Sequence, residues 1–252
     1  MKRMALLVLA GGLVSGAAQA ALHDRGGGLV YDDVLDVTWL ADANYAKTSG
    51  YDDDGLMTWQ QAKDWAASLS YYDSVRGVTY DDWRLPMVRD GGLADYNSAY
   101  SGTDAGYNVR TVGEDGTVYS ELAHMYFNNL GFKSSYRPSG NNQNDFGIFG
   151  DGAYHFGEER SGLGPNGVIV HLQSWDYWFG TATIHPGSVA WHFQTYAGYQ
   201  RFNNQFNEFH AWALRPGDVA AVPEPVPAAL FGVGLLGLML ARRGGDPAGF
   251  CG

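Results

Sequence analysis

The sequence predicts an α+β fold with two helices and small antiparallel sheets, placed between a signal peptide and a C-terminal apolar anchor helix. Two segments of the first half repeat apolar residues at helical spacing. Several short runs elsewhere are rich in aromatic and β-branched residues, which favour strands. The 252-residue chain also holds 35 glycines, which is typical of many turns and loops.

The first predicted elements are a hairpin and a helix. Residues 29–31 and 37–40 are β-prone runs, and Asp32-Asp33 between them indicates the turn. The helix begins after Thr58, because Thr58 and Gln61 have the spacing of a capping box. One face of this helix is apolar, and we assign it to the core: Trp59, Ala62, Trp65, Ala66 and Leu69.

A second helix is predicted to begin after Ser120 and to end at Gly131. Serine is a favourable N-cap residue, and glycine is a common C-terminal stop. The apolar residues that recur between these two positions are expected to face inward: Leu122, Met125, Tyr126 and Leu130.

The second half of the chain is predicted to form strands at residues 177–179, 189–193 and 210–214. Alternation in the last run places Trp212 on a buried face and Arg215 on the opposite face, where we expect an acidic partner near the chain ends. The long irregular stretch at 132–165 is of a length that is usually functional or disordered in a compact domain.

The N-terminal segment has the order of features typical of a secretory signal peptide. Lys2 and Arg3 precede an apolar run at residues 4–14, and small residues lead to a predicted cleavage between Ala20 and Ala21. We therefore expect residues 1–20 to be removed and the rest of the chain to be exported.

The C-terminal segment, residues 219–252, reads as a linker followed by a short membrane helix. Pro223-Glu224-Pro225 precedes the uncharged run 228–241, and Arg242 and Arg243 follow it. The run is short against the roughly 20 residues that span a bilayer, and the arginines are expected to stay cytoplasmic. This arrangement resembles the PEP-CTERM sorting signal of Gram-negative bacteria. The resemblance implies an exosortase-type membrane protease as partner, transient anchoring in the inner membrane, and release to the cell surface or medium. Such tails usually stop just after the arginines, whereas residues 244–252 follow here.

Charge and cysteine content exclude several classes of function. The formal net charge is -11, and residues 21–222 hold 12 basic and 25 acidic residues, a net charge of -13. A nucleic acid partner is not expected, because neutralising phosphates requires a surplus of Lys and Arg. The single cysteine, Cys251, permits neither a disulfide framework nor a cysteine zinc site. The eight tryptophans and 16 tyrosines suggest that aromatic packing stabilises the exported body.

A second resemblance spans residues 21–218. The segments that carry it are 50–59, 82–86 (Asp-Trp-Arg-Leu-Pro), 120–125, 177–180 (Tyr-Trp-Phe-Gly) and 211–217 (Ala-Trp-Ala-Leu-Arg-Pro-Gly). They are similar to those of exported proteins bearing the C-terminal domain of the bacterial collagen-like adhesin Lcl. The resemblance implies a C-type-lectin-like fold with a long loop region as its ligand face. It also implies adhesion to carbohydrate or glycosaminoglycan.

Two amide-rich stretches are the candidate ligand-binding residues. Amide groups pair well with sugar hydroxyls, and neighbouring aromatic faces supply stacking, although Asn is also a common turn residue. In the fold that the resemblance implies, both stretches are expected at the same end of the domain. The candidates are Asn141, Asn144, Asn203, Asn204, Asn207 and Glu208.

Metal binding and catalysis have weaker sequence support. Asp52-Asp53-Asp54-Gly55 resembles the start of a calcium loop, but Lys63 occupies the twelfth position, where an EF-hand needs a carboxylate. A looser Ca²⁺ site and an acidic turn before a helix both remain open. The six histidines between residues 124 and 210 lack the spacing of metal ligands on one element.

Two hypotheses follow from these patterns. The favoured one is a non-enzymatic surface or secreted module that binds exopolysaccharide or another glycan of a biofilm or envelope. The alternative is an extracytoplasmic polysaccharide hydrolase, which needs two carboxylates about 5 to 9.5 Å apart in a cleft.

Overall fold

The computed structural model describes residues 22–184 and 187–219, which belong to one compact unit ending at Val219. Several predicted features lie outside the described residues: the cleavage site at Ala20 and Ala21, His185, the sorting residues Pro223, Glu224, Pro225, Arg242 and Arg243, and the apolar run 228–241. In the part of the chain that is described, no helix is long and apolar enough to cross a membrane.

The first sheet joins the two ends of the described chain. Its four antiparallel strands follow the order β1 (Leu22–Gly26), β2 (Leu29–Asp32), β3 (Val37–Leu40) and β12 (Leu214–Pro216). The predicted hairpin of β2 and β3 is confirmed. Its turn is stabilised by the carboxylate of Asp32, which accepts hydrogen bonds from the backbone N–H groups of Val34 and Leu35.

The second sheet carries the longest strands. Its antiparallel order is β6 (Gly106–Tyr107), β11 (Tyr199–Asn204), β10 (Val189–Gln194) and β9 (Asp176–Ala182). Two further antiparallel pairs complete the strand content: β4 (Tyr71–Asp73) with β5 (Val78–Tyr80), and β7 (Glu159–Arg160) with β8 (Leu172–Gln173).

Helices are few and short in the described residues. The predicted first helix is α2 (Trp59–Ser68), and both halves of the capping box between Thr58 and Gln61 are present. Single helical turns form α1 (Tyr45–Thr48) and α3 (Gly92–Asp95), and a 3-10 turn covers Pro165–Gly167.

The second predicted helix differs from its expected form in one respect. Ser120 caps it, as expected, by accepting a hydrogen bond from the Ala123 N–H, but α4 (Glu121–Ala123) continues as a π-helical turn at His124–Asn129. In that turn the Leu130 N–H donates to the Met125 carbonyl. Gly131 follows with φ +68°, the left-handed conformation expected at a helix end.

The core is built on buried tryptophans, as the composition suggests. Trp39 and Trp212 pack with ring centroids 5.0 Å apart, and the Trp212 indole donates to the Leu40 carbonyl at 2.7 Å. The Trp178 indole donates to the Met57 carbonyl at 2.7 Å. The buried tryptophans are Trp39, Trp65, Trp83, Trp178, Trp191 and Trp212. Aromatic burial therefore stabilises much of this cysteine-free body, and the indole N–H groups of Trp178 and Trp212 are satisfied by backbone carbonyls.

One strand prediction was wrong in its bounds, and one strand was missed. The last strand begins at Leu214 and not at residue 210, because residues 209–213 cross from the second sheet to the first. Phe209 bridges to Met57, His210 bridges to Tyr177 in β9, and the Ala213 carbonyl accepts from the Leu40 N–H in β3. Strand β11 was missed, since the asparagines at its end suggested a turn. The α+β class, with small, mostly antiparallel sheets and few helices, is confirmed.

Candidate functional site

Four tyrosines from three parts of the chain form a continuous cluster, which we call the tyrosine cluster: Tyr100, Tyr107, Tyr136 and Tyr199. The Tyr107 ring lies 4.4 Å from the Tyr199 ring, 4.7 Å from the Tyr136 ring and 5.9 Å from the Tyr100 ring, centroid to centroid. Tyr100 also contacts Tyr136 at 5.6 Å, and its side chain is exposed. The cluster is therefore a connected aromatic face open to solvent at Tyr100.

Backbone pairing holds this cluster in place. Tyr107 and Tyr199 are register partners in β6 and β11, so their side chains share one face of the sheet. The Asn108 side-chain amide donates to the Tyr136 carbonyl at 2.7 Å, and the Ser135 N–H donates to the Ala197 carbonyl at 2.9 Å. These bonds attach the loop that carries Tyr136 to the end of the second sheet.

A second group of rings, the loop cluster, is formed by Tyr154, Phe156, Tyr196 and Trp175. The rings of Tyr154 and Phe156 are stacked, 5.7 Å apart and inclined by 5°, and these side chains are 50% and 57% exposed. Tyr196 contacts Phe156 edge-on at 4.8 Å and Tyr154 at 6.0 Å, while Trp175 contacts Phe156 at 6.0 Å. Two parallel exposed rings thus rest on two partly buried ones.

The loop that carries Tyr154 and Phe156 is fixed by the histidine between them. His155 Nε2 lies 2.8 Å from Asp151 Oδ2, and its Nδ1 lies 3.2 Å from Glu158 Oε1. The His155 ring also packs against Phe149 at 4.5 Å. Hydrogen bonding to Asp151 and then to Glu158 raises the pKa of His155 above its ordinary value. The charged imidazolium is therefore favoured between two carboxylates, and this contact orders the loop.

The two clusters adjoin each other. Burial raises the pKa of Tyr107, and the nearby phenols of Tyr154, Tyr136 and Tyr199 add to that effect. Burial likewise raises the pKa of Tyr196, with contributions from Asp176, Tyr107 and Tyr154. Tyr196 of the loop cluster lies in the turn between β10 and β11, three positions before Tyr199 of the tyrosine cluster, so this turn brings the two clusters together. We call the two clusters together the aromatic surface.

Charged groups beside the aromatic surface are largely paired. Lys133 forms an ion pair with Asp145, and His155 lies between Asp151 and Glu158. The guanidinium of Arg201 lies 6.0 Å from the centroid of the Tyr199 ring. The surface is therefore aromatic and hydroxyl-bearing, with ion pairs at Lys133 and His155 and a cation at Arg201.

The first amide-rich stretch borders the tyrosine cluster. Asn142 bridges to Tyr136, the Asn141 carbonyl accepts from the Arg137 N–H at 2.8 Å, and both asparagine side chains are exposed. Asn144 is exposed as well, and its backbone lies against Gly152 in the loop before Tyr154. Asn141 and Asn144 are thus placed where their amides could contact a molecule bound on the rings.

The second amide-rich stretch lies elsewhere, and the expectation that both stretches share one end of the domain was wrong. Asn203 and Asn204 pair with Ala190 and Val189 at one end of β11, whereas Tyr199 of the tyrosine cluster is at the other end. Five residues of strand separate the two ends by about 16 Å. Asn207 and Glu208 follow in the exposed segment beyond β11.

Side chains of this second stretch stabilise their own turn. Asn203 Oδ1 accepts from the Asn204 N–H at 2.8 Å and from the Asn207 side-chain amide at 3.1 Å. Asn204 Oδ1 accepts from the Phe206 N–H at 2.9 Å. These local bonds are typical of asparagines in turns.

Two carboxylates line one cavity and are the candidates for the hydrolase hypothesis. Asp90 and Asp104 border a cavity of about 350 Å³ together with Arg89, Thr103 and Tyr119. Burial alone would raise the pKa of Asp90, but hydrogen bonds from the Trp191 indole and from the Gly92 and Ile184 N–H groups hold that pKa below its ordinary value.

The Asp104 carboxylate also accepts hydrogen bonds from nearby loop residues. The Asp104 carboxylate accepts from the Gly91 N–H at 2.6 Å, from the Asn97 N–H at 3.1 Å and from the Thr103 hydroxyl at 2.9 Å. Both carboxylates of this cavity therefore hold loops together.

The acidic turn before α2 has a similar local role. Asp52 Oδ1 accepts from the N–H groups of Asp54 and Gly55, and Asp54 Oδ1 accepts from the Leu56 N–H. Gly55 has φ +81°, and a Cβ there would meet Asn44 Oδ1 at 2.0 Å. Residues 22–184 and 187–219 contain no group of three or more His, Cys, Asp or Glu side chains arranged to hold a metal ion.

The two motif segments 82–86 and 211–217 stabilise the fold by contacting each other. Arg215 makes two hydrogen bonds with Asp82, at 2.7 and 2.9 Å, and lies over the Tyr80 ring at 4.4 Å. An acidic partner was expected, but this one belongs to the segment after β5 and not to the chain ends. Trp212 is buried, as expected, although it precedes β12.

The tyrosines themselves were missed as named site residues. They are spread from residue 100 to residue 199, and no local pattern groups them. Only the predicted loop at 132–165, which contains Tyr136, Tyr154 and Phe156, indicated this region.

Comparison of the chain with protein-family models, with curated proteins and with solved structures gave no match.

Proposed function

We propose that the chain is a non-enzymatic module that binds glycan through the aromatic surface. The observation that carries the proposal is the exposed, parallel pair of Tyr154 and Phe156 beside the tyrosine cluster. An exposed ring face of this kind offers an apolar platform to the C–H face of a sugar, while phenol hydroxyls and side-chain amides bind its hydroxyl groups. Asn141 and Asn144 are the proposed amide contacts.

Preorganisation supports the proposal. The rings are held by strand pairing, by the bond from Asn108 to the Tyr136 carbonyl, and by the contacts of His155 with Asp151 and Glu158. A surface whose side chains are already ordered loses less conformational entropy when a ligand binds. Modest contacts can then give useful affinity.

The same proposal includes the route of the chain out of the cell. We propose removal of residues 1–20, transient anchoring in the inner membrane by residues 228–241, and recognition of Pro223-Glu224-Pro225 by an exosortase-type protease. The product is an exopolysaccharide- or envelope-binding module at the cell surface or in the medium. Its body, residues 21–218, is proposed to be a C-type-lectin-like domain similar to the C-terminal domain of Lcl.

The test is a glycan array probed with the full chain and two variants. We expect wild-type protein and Tyr72→Ala, which removes an exposed ring outside the aromatic surface, to bind the same glycans. The double variant Tyr154→Ala/Phe156→Ala should lose at least tenfold in affinity with unchanged melting, since tenfold corresponds to about 1.4 kcal/mol. If the wild type binds no glycan, and the double variant instead abolishes self-association in sedimentation, the surface is an interface between copies of the chain and the proposal fails.

The hydrolase alternative is less well supported by the geometry. Its candidate carboxylates are Asp90 and Asp104, but a general acid needs a raised pKa, and hydrogen bonds hold the pKa of Asp90 low. Release of reducing ends from a polysaccharide, lost in Asp90→Asn with an unchanged fold, would favour this alternative.

A further inference from the structure

We infer, on the basis of the proposed function, that the aromatic surface takes an interior stretch of an uncharged polysaccharide, with sugars on the tyrosine cluster and the loop cluster at the same time. The ligand is a chain, and not a single sugar or a chain end, and it carries no charge. The extent, exposure and charge of the described residues support this assignment.

The extent of the surface argues for a chain. Tyr100 and Tyr136 are in contact within the tyrosine cluster, and Phe156 and Trp175 are in contact within the loop cluster. Neighbouring rings within each cluster are 4.4 to 6.0 Å apart, and Tyr196 and Tyr199, three positions apart at the turn between β10 and β11, join the two clusters. One sugar ring covers about one aromatic ring, so a single sugar would leave most of this surface bare. Several linked sugars are needed to cover it.

The exposure of the rings argues for the interior of the chain. Tyr100 is 41% exposed, and Tyr154 and Phe156 are half exposed or more. These rings lie on the outside of the protein, where a ligand can continue past either edge. Recognition of a chain end would instead call for a concave pocket that encloses the terminal sugar.

The charges near the surface argue for an uncharged chain. Lys133 is neutralised by Asp145, and His155 is enclosed by Asp151 and Glu158. Arg201 lies beside the tyrosine cluster, and Arg137 follows Tyr136 in the sequence, but residues 21–222 carry a net charge of -13. A polyanion such as a uronate or sulfated glycan would therefore be repelled at long range. This inference departs from the glycosaminoglycan ligands that the family resemblance implies.

Binding to two clusters by one ligand has a measurable signature. The second contact becomes intramolecular once the first has formed, so affinity rises steeply with chain length until both clusters are covered. A short oligosaccharide rests on one cluster alone. Removing a ring from the other cluster should then leave its affinity unchanged.

The experiment is calorimetric titration of the full chain with defined oligosaccharides. The uncharged probes are cellohexaose, chitohexaose and laminarihexaose, each with its disaccharide, and the anionic probes are hexamannuronate and a heparin hexasaccharide. The variants are Tyr100→Ala in the tyrosine cluster and Phe156→Ala in the loop cluster, with Tyr72→Ala as the matched exposed control. All three are checked for unchanged melting.

We expect at least one uncharged hexasaccharide to bind more than about tenfold tighter than its disaccharide. Tyr100→Ala and Phe156→Ala should each lower the affinity for the hexasaccharide about tenfold, whereas only one of them should lower the affinity for the disaccharide. The anionic probes should bind more weakly than the uncharged ones. Their affinity should be lowest at low salt, where repulsion by the acidic protein is least screened.

Other outcomes separate this inference from the proposed function. Equal affinity for the disaccharide and the hexasaccharide would overturn the chain model but retain glycan binding. The same conclusion follows if only one of the two variants lowers the affinity for both sugars. Preferred binding of an anionic hexasaccharide would overturn the charge assignment. If no uncharged or anionic probe binds and the array is also negative, the proposed function itself fails.

Discussion

The guanidinium of Arg84 makes two hydrogen bonds with the carboxylate of Glu121, at 2.7 and 2.8 Å. Glu121 Oε2 also accepts from the Met87 N–H at 2.6 Å, and its side chain is 8% exposed. Arg84 in turn exchanges both backbone hydrogen bonds with Leu214. One ion pair thus joins the Trp-Arg-Leu-Pro segment, the second helix and the last strand, so these motif residues have structural roles.

Glu121→Gln is expected to destabilise the domain by about 3 kcal/mol, because the buried end of a charge pair is lost and Arg84 is left without its partner. For a chain of this size, the melting temperature should fall by roughly 6 to 12 °C. Glu114→Gln is the matched control, since Glu114 is an exposed acidic residue of a nearby loop. Equal melting of the two variants would show that the pair contributes little.

His155 is expected to titrate above its ordinary pKa, because Asp151 and Glu158 stabilise its charged form. Asp151→Asn should lower that pKa, whereas Asp145→Asn, which removes the same charge at the Lys133 pair, should not. An NMR titration of the His155 ring measures both values.

The same contact should make the loop dependent on pH. Below the raised pKa the protonated His155 is held by both carboxylates, and this stabilisation is lost as the pH rises through that pKa. As the pH rises through that pKa, hydrogen exchange at the Ala153 and Glu158 amides should accelerate beyond its intrinsic pH dependence. If the corrected exchange rates in the wild type do not depend on pH, the contact of His155 with Asp151 and Glu158 does not stabilise the loop.

His210 should make global stability depend on pH in the opposite direction. Burial lowers the pKa of His210 to about 4, so the unfolded chain binds a proton more readily between pH 6.5 and 4. Stability is therefore complete above pH 6.5 and falls as the pH drops toward 4, by about 3 kcal/mol from this group. Burial lowers the pKa of His124 as well, which adds to the slope.

Denaturant unfolding at pH 7 and pH 5 measures this effect. His210→Asn keeps an N–H near the position of Nδ1, which contacts the Gly55 carbonyl at 3.1 Å, but it does not titrate in this range. The loss of stability between the two pH values should be smaller in His210→Asn than in the wild type. An equal loss in both proteins would refute the assignment.

Glu224→Ala should block C-terminal processing if residues 223–225 are a sorting signal. Mass spectrometry of the exported wild-type protein should show a chain that starts at Ala21 and ends near Glu224. The Glu224→Ala variant should retain residues 228–241. The control Asp246→Ala, which removes an acidic residue later in the same segment, should be processed normally. Release of Glu224→Ala at the wild-type rate would remove the sorting proposal.

Local features of the fold could be predicted from the sequence because their causes are local. The capping box of Thr58 and Gln61 and the N-cap at Ser120 each depend on residues within one helical turn. Strand β11 could not be recognised, because its pairing with β10 and β6 overrides the turn preference of Asn203 and Asn204.

The candidate site was predictable only in part. Asn141 and Asn144 are exposed within the predicted irregular stretch 132–165, and their role in ligand binding stays a prediction. The rings beside them come from five separate segments of the chain. Tyr107 and Tyr199, for example, are 92 positions apart and meet through strand pairing. Such a surface arises from tertiary structure, and no spacing in the sequence records it.

Glycan binding by the aromatic surface is tested most directly by observing which protons of the protein contact a bound glycan. With the uncharged hexasaccharide that binds best, intermolecular NOEs are measured between the sugar ring protons and the aromatic protons of the full chain. We expect NOEs to Tyr154 and Phe156 and to at least one ring of the tyrosine cluster. NOEs confined to residues 203–208, at the other end of β11, would contradict this expectation.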